Sequence, residues 1–158
     1  MNPSPVLFLS FFIGVIAGLR SLTAPAVVAW AAHRRWLELR YSPLAFLHST
    51  AASIIFVVLA LAELVADKLP STPGRTQPPG LIGRFLTGGL SGAAVAASGG
   101  GSLALGAVLG AGGGLVGAFL GYQVRTRLVK ALKVPDFVIA VLEDAVAIDG
   151  GLFIVSRF

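Results

Sequence analysis

Residues Phe85 to Val124 read FLTGGLSGAAVAASGGGSLALGAVLGAGGGLVGAFLGYQV, forty consecutive positions without an Asp, Glu, Lys or Arg. At about 1.5 Å per helical residue the run extends roughly 60 Å, two crossings of a hydrocarbon core about 30 Å thick. The core of a small soluble domain has no use for it. The run predicts two transmembrane helices, with the chain turning at Ser98-Gly99-Gly100-Gly101-Ser102.

Composition agrees with that reading over the whole chain. Of 158 residues, 56% are hydrophobic and 12% charged, and the mean hydropathy is +0.88. Soluble domains carry about a quarter charged residues. The length suits one bundle, residues 1–158, with no separate soluble domain. Cysteine is absent, which excludes disulfides, thiol chemistry and Cys-ligated metal. The net charge of +5 lies mostly between apolar spans. That pattern suits anchoring to anionic lipid and argues against nucleic acid as a partner. The opening MNPSPVLFLSFF has no basic n-region and runs on past signal length, so the first helix is expected to stay in the mature chain.

Five spans follow. The first, 5–32, is long and contains Gly18-Leu19-Arg20-Ser21-Leu22-Thr23-Ala24-Pro25, where proline predicts a kink or break near 20–25. It ends at the interface anchor His33-Arg34-Arg35-Trp36. The second, 43–67, places Glu63 and Asp67 four residues apart on one face. The loop 69–80, LPSTPGRTQPPG, holds four prolines and is read as extended. Span three, 81–97, is a short packed helix or a re-entrant segment. Span four, 103–124, has glycines at 106, 110, 114, 117 and 121, a close-packing pattern. A basic loop, 125–133, then leads to span five, Asp136 to Val155, which carries Glu143, Asp144 and Asp149.

Laying Gly14 and Gly18 over Gly110 and Gly114, and Glu63 over Glu143, suggests that 5–68 repeats as 103–157. With one short span between the halves, the repeat would be inverted, a plan that puts a site at the repeat interface. Counting Lys and Arg between five crossings favours a cytoplasmic 68–84 loop, with the N-terminus inside and the C-terminus outside; Arg34, Arg35 and Arg40 argue against it.

Ionisable groups inside apolar spans must face a bundle, a cavity or a partner. Arg20, Glu63 and Glu143 are the candidate centre of a solute site, with Asp67, Lys68 and Arg75 at its mouth and Asp144 beside it. A broken helix at 20–25 would add free backbone groups. The bland alternative is that Arg20 pairs with Glu143 or Asp144 as interhelical glue, and that Asp144 or Asp149 pairs with a neighbouring helix. His33 and His48 fall near span ends and read as interfacial. Neither HExxH, a paired-Asp motif nor a nucleophile with a nearby base is present, so the chain is not expected to be an enzyme. The glycine clusters lack the strand-then-helix context of nucleotide binding. No cofactor or metal is expected.

Ala66-Asp67-Lys68-Leu69-Pro70, followed by Pro73-Gly74-Arg75-Thr76, resembles the domain-of-unknown-function 4126 family of small bacterial membrane proteins. Gly18-Leu19-Arg20-Ser21 and the glycine-rich helix leading to Glu143-Asp144 resemble it too, so the likeness covers most of the chain. It implies a multi-pass domain of the bacterial cytoplasmic membrane and supplies no substrate. Its motif positions here, Arg20, Glu63, Asp67, Lys68, Pro70 and Arg75, reinforce the same site.

The expectation is therefore an all-α polytopic bundle of about five spans, with an inverted two-helix repeat around a short central span. It would act as a transporter or permeation pathway for a polar or ionic solute, assembled as a homodimer or larger through glycine-lined faces. The alternatives are a non-transporting accessory membrane protein and, behind it, a lipid-active enzyme.

Overall fold

The computed structural model describes residues 3–69, 74 and 76–158, and among these there is no strand. Six α-helices follow in order: α1 (Pro3–Leu19), α2 (Thr23–His33), α3 (Thr50–Ala66), α4 (Pro78–Ser98), α5 (Leu103–Leu132) and α6 (Asp136–Val155). A short 3₁₀ turn, Ala45–His48, precedes α3.

The kink or break expected near 20–25 is a break, and the two helices on either side of it reverse on each other. Pro25 explains the position of the reversal. Its ring excludes a helical carbonyl four residues back, yet it fits the first turn of a new helix that begins at Thr23. The return is shown by Glu38, just past α2, whose N–H donates to Ser98 Oγ at 3.0 Å, at the far end of α4. Between α2 and α3, Leu37, Leu39 and Leu47 are fully buried, so this irregular stretch is packed into the bundle.

Capping sets most of the other boundaries. Ser49 accepts from Ala52 N–H to start α3, and Ser102 accepts from Leu105 N–H to start α5. Pro78 and Pro79 occupy the first turn of α4. Span three is thus a complete helix of 21 residues, and the expected glycine turn separates it from α5. Gly100 takes a φ of 73° there. The basic segment 125–133 is helical, not a loop, because nothing breaks the chain before Lys133 closes α5 with a φ of 53° ahead of Pro135.

The core is a glycine-mediated contact of three backbones. α1, α4 and α5 pack against one another, with Gly14 and Gly18 of α1 against Gly110 and Gly114, and Gly88 and Gly92 of α4 against Gly110 and Gly106. The glycines expected to line an oligomer contact are therefore consumed inside the chain; Gly112, with nothing within 4 Å, is an exception.

These pairs also set directions. Numbers rise together between α1 and α5, so the two helices run the same way, while α4 runs against both. α3 ends and α6 begins beside the α1–α2 reversal, so Glu63 and Glu143 sit on oppositely directed helices. No single rotation relates both matched pairs, and the inverted repeat is not present in this packing. Five reversals between six helices also bring both ends of the described chain to one end of the bundle, where Gly99 meets Val6 and Phe158. The N-inside, C-outside expectation falls with that.

By length and composition, Pro78–Ser98 and Leu103–Leu132 are long and apolar enough to cross a membrane; Ser4–Leu19 and Thr50–Ala66 are shorter apolar helices. α6 has 20 residues but carries Asp136, Glu143, Asp144 and Asp149. Two such helices point to association with a membrane.

Candidate functional site

The reversal between α1 and α2 exposes the last carbonyls of one helix and the first N–H groups of the next. Leu22, at the N-cap of α2, has no side chain to offer. Glu63, from α3, does the capping instead. It accepts from Ser21 N–H at 2.8 Å, Ser21 Oγ–H at 2.6 Å and Leu22 N–H at 2.8 Å. On the other side, Arg84 of α4 donates from Nε to Gly18 O at 3.0 Å and from Nη1 to Gly80 O at 3.1 Å. An anion thus faces a helix N-terminus and a cation a helix C-terminus, the favourable sense for both dipoles. Three of the backbone groups at this break, the N–H groups of Ser21 and Leu22 and the Gly18 carbonyl, are thereby taken.

Arg20 opens the reversal with a side chain that is 0% exposed. Its Nη1 is ion-paired with Asp67 Oδ2, and its Nε lies 2.6 Å from Asp144 Oδ1. Glu143 stands farther off, at 3.9 Å, and Nη2 also reaches Ala140 O at 3.5 Å. Lys68 Nζ donates to Asp144 Oδ2 at 2.8 Å and to Leu64 O at 2.7 Å. Arg125 of α5 meets Glu143 at 3.4 Å and donates from Nε to Asp136 Oδ1 at 2.9 Å. Among the described residues, three cations face four carboxylates in one connected cluster.

The structure therefore unites Arg20, Asp67, Lys68, Glu143 and Asp144. Glu63 lies one turn from Asp67 but bonds the backbone of the reversal, not Arg20; of the expected Arg20–Glu63–Glu143 group only Arg20 and Glu143 meet, and Asp67 and Asp144 lie nearer to Arg20 than Glu143 does. Asp144 does pair with neighbouring helices; Asp149 is exposed and has no partner among the described residues. Arg75 and Pro70 lie outside the described residues. Arg84, Arg125 and Asp136 were not assigned to the site from sequence. A lone arginine in the glycine-rich α4 was a signal for the first; for the others, the helical course of 125–132 had to be known.

Beside the cluster is a polar cavity of about 500 Å³, lined among others by Ser21, Asp67, Arg84, Tyr122, Arg125 and Asp136. Arg125 also borders an apolar groove of about 250 Å³ between α5 and α6, floored by Leu19. Among the described residues no three His, Asp or Glu side chains gather to hold a metal ion. The carboxylates close on arginine and lysine instead.

Residues 7–156 match the family described as a domain of unknown function, DUF4126. The chain belongs to the DUF4126 family. No curated protein and no solved structure matches it. Family membership covers the reversal, the charged cluster and the glycine core together, since all lie within the matched residues.

Proposed function

We propose that this DUF4126 chain is a polytopic protein of a bacterial cytoplasmic membrane that binds and passes a small polar or ionic solute at the charged end of its bundle. The observation that carries this reading is the reversal at Arg20–Leu22. Its Arg20 is buried among helices, it borders a polar cavity, and three other helices, α3, α4 and α6, bring charges to it. Ionisable groups held at such depth mark solute or proton paths more often than not, and helix breaks at a solute site recur in transporters.

Roles divide within the site. Arg20, Glu63 and Arg84 form the frame, because each is saturated by carboxylates or by helix ends. Asp67, Tyr122, Arg125 and Asp136 face the cavity and would contact the solute. A homo-oligomer remains part of the reading, built through faces other than the glycine core.

A second reading has its own support. Every charge of the cluster has a partner within the chain, which suits an accessory protein held together by buried ion pairs. A thermal-shift screen over ions and small metabolites, followed by flux in proteoliposomes, separates the two. Under the solute reading one compound raises the melting temperature by mass action, and Tyr122→Phe and Asp136→Asn abolish the shift while still folding. If no compound shifts the wild type and liposomes show no flux, the accessory reading replaces it.

A further inference from the structure

The opposite end of the bundle, where both chain ends lie, carries cations of its own. α2 closes there in a Schellman cap, with Arg35 N–H donating to Ala32 O at 3.0 Å and Trp36 N–H to Ala31 O at 2.9 Å. The residue that closes such a cap takes a left-handed φ and is usually glycine; here it is Arg35, at 64°. An arginine is held against the backbone preference of the position, which directs attention to its side chain.

Arg35 lines a polar hollow of about 360 Å³ with Trp36, Glu38, Ser98 and Arg157. Glu38 is engaged by Arg40, at 3.1 Å from Nε and 3.3 Å from Nη2, and those hydrogen bonds hold its carboxyl below the ordinary range. Neither Arg35 nor Arg157 has an ion-pair partner among the described residues, so the hollow keeps an excess of positive charge. Arg157 stacks with Cζ 4.0 Å from the centre of the Phe153 ring. It also borders a second depression, of about 550 Å³, walled by Ser4, Pro5, Phe8, Leu9 and Phe153. One arginine thus joins a cationic hollow to an apolar groove between α1 and α6. Trp30 and Trp36 stand edge to face at 5.1 Å beside the hollow, with Arg34 5.5 Å from the Trp30 ring, the aromatic and basic mixture of a membrane–water boundary.

We propose that the hollow and groove form one site for an anionic phospholipid, its phosphate headgroup on Arg35 and Arg157 and an acyl chain along Phe8, Leu9 and Phe153. The inference rests on the membrane placement above and not on solute passage. Guanidinium groups match phosphate geometry. A free phosphate would leave the apolar groove uncovered, and a zwitterionic lipid would bring its own cation to two arginines.

The test uses the full chain in a neutral detergent, titrated separately with phosphatidylglycerol, phosphatidylcholine and inorganic phosphate. Melting temperature and lipid retention in native mass spectrometry are the readouts. Phosphatidylglycerol is expected to be retained and to raise the melting temperature, well ahead of phosphatidylcholine, with no shift from phosphate alone. Arg157→Gln and Arg35→Gly each weaken phosphatidylglycerol retention by roughly fivefold, the share of one interfacial cation. Arg35→Gly does so in a protein at least as stable without lipid, since glycine takes the left-handed φ freely, and that separates loss of the site from loss of the fold. Equal retention of the two lipids, a full shift from phosphate alone, or full retention in both variants overturns the proposal. Asp136→Asn, at the other end, is expected to keep the lipid response, so a failed solute assay leaves this result readable.

Discussion

A methyl group added at Gly110 tests the three-backbone core directly. An alanine Cβ there would stand 2.8 Å from Gly92 Cα, 3.0 Å from the Gly88 carbonyl carbon, and closer still to Gly88 O. Neither neighbour is a side chain that can rotate away, so α4 must move. It cannot move at one point only, because Gly92 meets Gly106 and Arg84 meets Gly114 along the same line. A radial gap of about 0.5–1 Å forfeits a quarter to a half of the dispersion energy across that contact. Overpacking of this kind costs about 3 kcal/mol at the upper end of its usual range. Replacing a helical glycine returns about 1 kcal/mol of propensity, so Gly110→Ala should destabilise by about 2 kcal/mol. Gly112 lies two residues on in the same helix with nothing within 4 Å, and Gly112→Ala should gain about 1 kcal/mol. The two variants, matched in composition, should therefore differ by about 3 kcal/mol. Reversible unfolding in mixed micelles measures that separation. Equal stabilities would refute backbone contact between α4 and α5, and with it the antiparallel register drawn from these glycines.

Three further outcomes follow from the cluster and from α6. Arg20→Met leaves buried Asp144 and partly buried Asp67 without their shared arginine and should lower stability by about 3 kcal/mol, with part recovered when Asp67→Leu and Asp144→Leu are added, read by the same unfolding curves. Glu63→Ala removes the only side-chain cap observed at the start of α2 and should cost about 1–2 kcal/mol, with hydrogen exchange rising first at Ser21 and Leu22 N–H. Asp149→Leu replaces an exposed carboxylate on an apolar helix and should raise stability in bilayers by up to about 2.5 kcal/mol; a loss there would mean that Asp149 has a partner supplied by another chain.

Most of the helices were legible because their signals are local. The glycine turn at Ser98–Ser102, the Pro135 start of α6 and the apolar runs between them depend on neighbouring residues only. The break near Pro25 was legible for the same reason. Its angle was not: a proline stops a helix without dictating where the next one goes. Whether α2 continues α1 or folds back is decided by packing against α3, α4 and α6, and by caps drawn from Glu63 and Arg84, which are 42 and 66 residues away from the groups they satisfy. The same limit governed 125–132, where a basic composition suggested a loop although no residue in it breaks a helix.

The error in direction then propagated into the site. With α1 and α2 taken as one crossing, every later helix is inverted relative to the first, and Gly14 and Gly110 become symmetry mates on antiparallel helices. With the reversal in place, α1 and α5 run together, and those glycines become contacts instead of counterparts. The turn also brings Arg20 to the level of Ala140, which is why Asp144, one turn farther along α6, reaches it more closely than Glu143 does. Spacing along α6 shows that the two acids point in different directions, but only the course of α1 says which one faces the guanidinium. A charged residue in an apolar span announces that it has a partner. The identity of that partner is a property of chain direction, and in this bundle one three-residue turn sets it.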